Sequence, residues 1–359
     1  MKRTLIFRKL KKRPKKILVC RTDRIGDFVL SLPVFEVLGN QLGMEVHVLC
    51  RGINLPLLQN LPHIASSIAY HETLEARLVA ELNTQKFDAL LVLVNDEAGM
   101  RLVPQLNNIP VRIGPLSKPS RLFHLTHPVL QKRSRSIKSE AQYNLDLLQV
   151  FNWQGEPPRP KLEFSQTEET RFLADLAKLA PKLDRGMGFI ALHAGMHDSA
   201  LNWPFDHYRG LLSELLAAGY QVVLTGNGKG EIELGRQMSL GLPQEAKLID
   251  LSGQLELRQL ALLFRYARLY IGGSTGPTHV ANAALCPIIS FYPPIRVQSA
   301  TRWAPFLADG EVLSPPVECK QAYKCIGEVC PDKDCMGKIS VEAAFKAVKR
   351  QIRPNPLAL

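Results

Sequence analysis

Short apolar runs alternate with helical stretches along most of the chain. The predicted strands span 16–20, 46–49, 88–94, 188–192, 221–225, 269–271 and 288–291, and the predicted helices include 28–42 and 206–218. Strands that are apolar throughout are typical of sheets covered on both faces. Their alternation with helices predicts an α/β fold built on parallel sheets with right-handed crossovers.

The length of 359 residues suits two domains better than one. Residues 155–160 (GEPPRP) interrupt both periodicities and mark a linker. We therefore predict a first domain over 1–165 with a basic tail at 1–15, a second over 166–335, and a final helical segment over 336–359. Ligands of such sheets bind beyond the carboxyl ends of the strands, so the loops after Cys20, Leu192, Thr225 and Ile271 are the candidates for function.

Positive charge is concentrated at the N-terminus. The net charge is +12, and residues 1–16 hold nine basic residues and no acidic one. Apolar residues lie among them at Leu5, Ile6, Phe7 and Leu10. A basic amphipathic segment would be attracted to anionic lipid; a solvated, frayed tail is the alternative. No nucleic-acid-binding module accompanies the charge, so nucleic acid is not a predicted partner.

Two further patterns bear on the compartment and on metals. No apolar run reaches the roughly 18 residues of a membrane span, and the N-terminus lacks the apolar core of a signal peptide, so we expect a cytoplasmic protein. Of seven cysteines, Cys20, Cys50 and Cys286 lie in apolar runs and should be buried. The other four are Cys319, Cys325, Cys330 and Cys335. They lack a C-x-x-C pair, which favours reduced thiols over a zinc site.

The first candidate loop, 21–27, places Asp27 where a strand gives way to a helix. The helix dipole favours an ionised carboxylate there, and such a group can act as a general base. Alternatively, Asp27 only caps the helix. Arg21 and Arg24 can pair with Asp23 or hold an anion.

The second and third loops lie in the second half of the chain. In 193–204, Gly195 and Ser199 would let backbone amides and a hydroxyl approach a phosphate; the alternative is an ordinary connection in which Trp203 packs against the domain. In 226–231 the glycines do not have the spacing of a P-loop. Glu231 there is a candidate for binding ribose hydroxyls, with Glu233 as its competitor.

The fourth loop, 272–279 (GGSTGPTH), precedes a helix rich in alanine. Pro277 suits the first turn of that helix, and free amides at its start would bind an anion. A well-capped helix without a ligand is the alternative. The number of glycines favours the anion site, because capping alone does not require so many.

Four segments together resemble glycosyltransferase family 9, which includes the lipopolysaccharide heptosyltransferases. They are RIGDFVLSLP, HAG followed by NWP, the glycine-rich turn before Glu231, and GGSTGPTHVANAAL, in family order over about 16–300. The resemblance implies the GT-B architecture of two facing Rossmann-like, doubly wound parallel-sheet domains, with the C-terminal helix crossing back to the first. It implies an inverting, metal-independent transferase without a cofactor. A nucleotide-sugar, typically ADP-heptose, would be the donor, and a lipopolysaccharide core or similar glycolipid the acceptor.

The resemblance also assigns roles to individual residues. Asp27 matches the base for the acceptor hydroxyl. Arg21 and Arg24, which lie in the same loop and could hold an anion, are the predicted acceptor-binding residues. The predicted donor-binding residues are His193, Gly195, Ser199, Lys229, Glu231, Ser274, Thr275, Gly276 and His279. The acceptor would bring the enzyme to the inner face of the inner membrane, through the basic tail.

Two positions depart from the family pattern. Leu201 stands where many members have lysine, which makes Lys229 the expected substitute cation. Ser274 stands where many members have aspartate. These departures keep open an alternative function: a catalytically weakened protein that binds a nucleotide-sugar or a glycolipid.

Overall fold

The computed structural model describes residues 5–6, 8–94, 97–116, 124–196, 200–242 and 247–357. The chain divides into two compact units, Met1–Leu162 and Glu163–Leu359. The domain boundary predicted at residue 165 lies a few residues beyond this division.

The N-terminal unit is built on a seven-stranded sheet. Its strands are β1 (Leu5–Ile6), β2 (Lys16–Arg21), β3 (Glu45–Arg51), β4 (Ile64–Tyr70), β5 (Ala89–Val92), β6 (Val111–Leu116) and β7 (His127–Leu130). The order is β1-β7-β6-β5-β2-β3-β4, and all neighbours are parallel except β1, which is antiparallel to β7. Chain order reverses between β2 and β5, so their carboxyl ends form a switch point where α/β sheets bind ligands.

The helices of this unit are short near that point. They are α1 (Ile25–Val29), α2 (Leu32–Glu36), α3 (Glu75–Thr84), α4 (Glu97–Gln105) and α5 (Glu140–Asp146). The predicted continuous helix over 28–42 is wrong. The chain breaks between α1 and α2 and continues as a π-helical turn over Val37–Gln41. Pro33 lies in the first turn of α2, where its missing N–H is tolerated, but it cannot extend the hydrogen-bond ladder of α1.

The C-terminal unit contains a six-stranded, wholly parallel sheet. Its strands are β8 (Phe189–His193), β9 (Gln221–Leu224), β10 (Leu248–Asp250), β11 (Leu269–Gly273), β12 (Ile288–Phe291) and β13 (Gly310–Leu313), in the order β10-β9-β8-β11-β12-β13. The switch point lies at the carboxyl ends of β8 and β11. The helices are α6 (Gln166–Leu179), α7 (Phe205–Ala217), α8 (Gly228–Ser239), α9 (Leu257–Tyr266), α10 (Gly276–Ala283), α11 (Ala300–Trp303) and α12 (Val341–Gln351).

The last helix, α12, contributes to the core of the C-terminal unit. Ala344, Ala347 and Val348 are fully buried in the same apolar cluster as Leu211 and Leu212 of α7. The apolar stripe of this amphipathic helix therefore covers its own sheet. The expected crossing back to the first domain stays a prediction.

Two of the described residues in the basic tail belong to the sheet. Leu5 and Ile6 pair with Leu130 and Val129 of β7, and the amide of Leu10 donates to the carbonyl of Val150 at 3.0 Å. A frayed tail is therefore wrong for these described positions, because backbone hydrogen bonds hold them. The cationic side chains between β1 and β2 remain exposed at Arg8, Lys9, Lys11, Lys12, Arg13 and Lys15.

Across the part of the chain that the structure describes, no helix combines the length and apolar character of a membrane span.

Candidate active site

Asp27 lies at the switch point of the N-terminal unit, in the first turn of α1. The helix begins at Ile25, and Arg24 occupies the N-cap position without a side-chain cap. The alternative role of Asp27 as the cap is therefore wrong, because the helix starts two residues earlier. Its Oδ1 atom instead accepts a hydrogen bond from Nη2 of Arg21 at 2.9 Å, and its side chain remains 22% exposed.

The Arg21 side chain at the end of β2 is fully buried and bonded along its whole guanidinium edge. Nε donates to Oδ1 of Asp23 at 2.7 Å, Nη2 donates to Asp27, and Nη1 lies 3.2 Å from Oδ1 of Asn144. Burial alone would lower the pKa of Arg21, but the carboxylates of Asp23, Asp27 and Glu140 outweigh it and raise the pKa above its usual value. Arg21 is thus a permanent cation that fixes two carboxylates in place.

Helix α5 supplies the other side of this arrangement. Glu140 is 2% exposed, and its Oε1 lies 3.5 Å from Nη2 of Arg21 and in contact with Nη1 of Arg133. Asn144 joins the two guanidinium groups, since its Oδ1 accepts from Arg21 at 3.2 Å and from Arg133 at 3.1 Å. The resulting Arg21 network comprises Arg21, Asp23, Asp27, Arg133, Glu140 and Asn144.

The two arginines predicted to bind the acceptor differ in access. Arg24 is exposed at the start of α1. Arg21 has no exposed surface, so it serves to orient Asp27 and Asp23 in this arrangement. No sequence pattern singled out Arg133, Glu140 or Asn144. The Ser139–Gln142 capping box indicates a helix start next to Glu140, but not its contact with Arg21, which lies more than a hundred residues away.

Three of the predicted donor-binding residues meet at the switch point of the C-terminal unit. His193 is 3% exposed; its Nδ1 lies 3.1 Å from Oγ1 of Thr225 and its Nε2 lies 3.8 Å from Oε2 of Glu231. A Cβ added to Gly195 would stand 2.3 Å from Oε1 of Glu231. A side chain at position 195 would therefore displace the Glu231 carboxylate. Ser199 lies outside the described residues.

The start of α8 is fixed by Asn227 and Glu231. The Asn227 side-chain oxygen caps the helix by accepting from the backbone N–H of Gly228, and the backbone N–H of Asn227 donates to Oε2 of Glu231 at 2.8 Å. Lys229 is exposed on the first turn. The competing acid, Glu233, lies on the surface, where hydrogen bonds from Arg236 lower its pKa to about 2. The buried position of Glu231 favours it as the acid of this loop.

The β11–α10 loop is tightly packed. A Cβ on Gly272 would stand 2.3 Å from the Tyr270 hydroxyl, and one on Gly273 would stand 2.2 Å from Sδ of Met196. A side chain at either glycine would displace Tyr270 or Met196, so the number of glycines does not by itself indicate an anion site. The amides of Thr275 and Thr278 already donate to carbonyl groups within the loop.

Pro277 has no N–H, and the amides of Thr275 and Thr278 are already hydrogen-bonded. The start of α10 therefore offers fewer free amides to an anion than we predicted from the sequence. Ser274 hydrogen-bonds to the side chain of Tyr292. His279 is buried, which lowers its pKa to about 4, so the imidazole is neutral at pH 7. Its Nδ1 has no hydrogen-bond partner among the described residues.

Leu201 packs as a partly buried residue against the core of the C-terminal unit, and its amide donates to Oε1 of Gln298 at 3.2 Å. The adjacent Trp203 is 2% exposed and stacks on Phe291 with 4.1 Å between ring centroids, as expected for packing against the domain. The Leu201 side chain thus makes apolar contacts with this core.

The four C-terminal cysteines share one cavity of about 240 Å³. They line it together with Leu201 and Ile295. Among the residues that the structure describes, no group of three histidine, cysteine or acidic side chains is placed to hold a metal ion. The other three cysteines, Cys20, Cys50 and Cys286, are buried as predicted.

These observations define the class of protein. Two Rossmann-like parallel-sheet domains, each with polar loops at its switch point, are the units of the GT-B architecture, and the predicted fold class is confirmed by solved structures. The structure of Escherichia coli ADP-heptose lipopolysaccharide heptosyltransferase II matches with a TM-score of 0.75 and 21% identity, covering 93% of this chain and 98% of that one.

Sequence comparisons give the family. The family model "Glycosyltransferase family 9 (heptosyltransferase)" matches residues 75–330, more than half of the chain. A Haemophilus influenzae protein named only as a glycosyltransferase is 32% identical over 305 residues, covering 81% of this chain and 86% of its own. Lipopolysaccharide heptosyltransferase 2 of Salmonella typhimurium is 27% identical, with 78% and 83% covered. The chain belongs to glycosyltransferase family 9 and is a heptosyltransferase-like glycosyltransferase.

Proposed function

We propose that this enzyme transfers heptose from ADP-heptose to a lipopolysaccharide core or similar glycolipid, with inversion and without a metal ion. The observation that carries the proposal is the partly exposed Asp27 carboxylate, held at the start of α1 by the buried guanidinium of Arg21. The similar Escherichia coli protein is an ADP-heptose lipopolysaccharide heptosyltransferase, which supports this choice of donor and acceptor.

In the proposed reaction Asp27 accepts the proton of the acceptor hydroxyl. The hydroxyl oxygen forms a bond to the anomeric carbon, while the bond from that carbon to the diphosphate oxygen breaks and ADP leaves with the electron pair. A single displacement of this kind inverts the anomeric centre. Arg21 holds Asp27 as a carboxylate, and Arg24 is exposed next to it for contact with an anionic group of the acceptor.

The C-terminal unit would bind the donor. Glu231 is proposed to accept hydrogen bonds from the ribose, with His193 and Gly195 packed beside it. Ser274, Thr275, Gly276 and the neutral His279 are proposed to contact the diphosphate and the sugar. Ser199 keeps its predicted role on the donor side.

The diphosphate needs positive charge, and Leu201 provides none. The N-terminal end of a helix carries about half a positive charge, and each dipole–anion contact there stabilises by roughly 0.3–1 kcal/mol, or up to ~2 when partly buried. The N-termini of α8 and α10 offer this field, and Lys229 on the first turn of α8 is the proposed substitute cation. On this basis we propose a donor site that binds the diphosphate without a metal ion.

The proposal is tested by incubating the enzyme with ADP-heptose, a deacylated core acceptor and a chelator, followed by mass spectrometry. We expect the acceptor to gain one heptose. If ADP-heptose binds but no product forms with or without magnesium, the alternative of a weakened nucleotide-sugar-binding protein replaces the enzyme. If transfer occurs only with magnesium, the metal-free mechanism is wrong.

The exposed tail cations are proposed to attract an anionic membrane surface, at the cytoplasmic face of the inner membrane. Each nearby lysine contributes about 1 kcal/mol at such a surface. Replacing Lys9, Lys11 and Lys12 with glutamine should therefore weaken binding to vesicles rich in anionic lipid at low salt, while turnover of a soluble acceptor stays unchanged.

The matched control for the tail carries three equivalent changes on exposed positions of the C-terminal unit: Arg171, Lys178 and Lys182. Both triple variants have the same net charge. Equal loss of vesicle binding in the two variants would show a response to total charge and would contradict a role for the tail.

A further inference from the structure

We propose that Glu140 is a positioning residue for the transfer reaction, acting on Asp27 through Arg21. This inference rests on the proposed role of Asp27 as the base. Glu140 acts on the guanidinium group that holds Asp27, and its effect on the reaction passes through that group.

The geometry places Glu140 on the same nitrogen that serves Asp27. Nη2 of Arg21 lies 2.9 Å from Oδ1 of Asp27 and 3.5 Å from Oε1 of Glu140. The Arg21 guanidinium group is planar, with its donors in a fixed fork. A change in the carboxylate on one side of Nη2 therefore alters the hydrogen bond on the other side.

Burial makes this coupling strong. Arg21 is 0% exposed and Glu140 is 2% exposed, so water does little to screen the pair. Asp27, at 22%, is the carboxylate with the most exposed side chain of the three around Arg21. The buried acid takes up part of the Arg21 charge, while the accessible acid faces solvent, where an acceptor hydroxyl can reach it.

Arg133 completes the charge balance. Its Nη1 contacts Glu140 and its Nε donates to Oε1 of Gln131 at 2.8 Å. With all groups ionised, the Arg21 network has three negative and two positive charges. Replacing Glu140 by a neutral residue leaves two of each. Arg21 and Arg133 are then balanced by Asp23 and Asp27 alone, and Asp27 becomes a weaker and differently oriented base.

The experiment is a double-mutant cycle that combines Glu140→Gln with Asp27→Asn. We expect Glu140→Gln to lower kcat by about tenfold with KM within about twofold, because partial loss of general-base assistance costs less than the full loss of about 100- to 10,000-fold. In the Asp27→Asn background the same change should lower kcat no further, since residues that act as a unit are not additive.

The matched control is Asp146→Asn at the other end of α5. Asp146 accepts from Nζ of Lys138 at 2.7 Å and lies outside the Arg21 network. This variant removes a carboxylate from the same helix and should keep kcat within about twofold, because it changes none of the contacts of Arg21.

Two results would overturn the inference. One is a kcat for Glu140→Gln equal to that of Asp146→Asn. The other is an equal loss in both backgrounds, which would mark Glu140 as structural only. If Glu140→Gln does not fold, Glu140→Asp, which keeps the charge and withdraws the carboxylate by one methylene, takes its place in the cycle. The proposed role of Asp27 is tested separately. If Asp27→Asn alone keeps full activity, Asp27 is not the base.

Discussion

The two units place polar residues at equivalent switch points but hold them by different means. In the N-terminal unit they are held by charge: Arg21 is buried among carboxylates and fixes Asp27 by a charge-assisted hydrogen bond. In the C-terminal unit they are held by close packing. A side chain at Gly195 would clash with Glu231, and one at Gly273 would clash with Met196. The buried His279 is neutral.

This difference fits the two tasks that the proposed reaction divides between the units. Moving a proton requires a carboxylate whose charge and direction are set in advance. Binding a diphosphate and a sugar requires a shaped surface with available amides. Substitutions that change charge should therefore have the largest effects in the N-terminal unit, and substitutions that change side-chain size should have the largest effects in the C-terminal unit. The four predictions that follow test this.

The largest effect is expected for Asp27→Asn, which removes the charge from the N-terminal site. Turnover should fall by about 100- to 10,000-fold, the usual value of general-base assistance, while calorimetry should show nearly unchanged ADP affinity. A variant that keeps more than half of the wild-type turnover would contradict the role of Asp27 as the general base. Asp23→Asn would then be the next test.

The second prediction concerns the neutral His279. Its pKa is about 4 in the folded chain and about 6.5 when unfolded. As the pH falls, the imidazole of His279 is therefore protonated in the unfolded chain before it is protonated in the folded chain. The free energy of unfolding does not depend on this group above about pH 6.5, and it decreases by about 3 kcal/mol towards pH 4. Urea unfolding of wild type and His279→Asn should show a shallower pH slope for the variant; parallel slopes would contradict a buried neutral imidazole.

The third prediction tests shape directly. In Gly195→Ala the new methyl group meets the Glu231 carboxylate, and overpacking typically costs about 1–3 kcal/mol. ADP affinity should fall by about tenfold or more. Gly230→Ala is the control, because a Cβ at Gly230 meets no atom within 4 Å. Similar affinities in the two variants would remove Glu231 from the donor site.

The smallest effects are expected for the polar and charged side chains proposed to contact the diphosphate in the C-terminal unit. Lys229→Ala should weaken ADP binding in the presence of a chelator by about tenfold and Ser274→Ala by about threefold, because a charge-assisted hydrogen bond is roughly twice as strong as a neutral one. If Ser274→Ala has the larger effect, Lys229 is not the substitute cation. If no ADP binds at millimolar concentration without magnesium, the metal-free site fails as a whole.

The strands that follow from a local sequence pattern were predicted correctly. The apolar runs at 16–20 and 221–225 become β2 and β9, because a strand covered on both faces must be apolar throughout. The less apolar strands β4 and β13 lack that signal and were missed. Pro33 marked the break before α2, but the periodicity of 28–42 concealed it.

The site was predictable only in its loops. Asp27 and Glu231 could be singled out because each follows a strand, and the family resemblance gave them roles. The partners that hold them could not be found. Glu140 reaches Arg21 across more than a hundred residues, and the packing of Gly273 on Met196 joins two separate loops. Such contacts arise from the tertiary fold, which no local pattern encodes.

The antiparallel strand β1 has a consequence for how the chain behaves in solution. It pairs with β7, which would otherwise be the outermost strand of its sheet. An uncovered outer strand presents unpaired N–H and C=O groups to other chains and promotes aggregation. A truncation that removes β1 together with the tail should therefore self-associate, so the proposed lipid-binding role of the lysines is tested with substitutions that leave β1 in place.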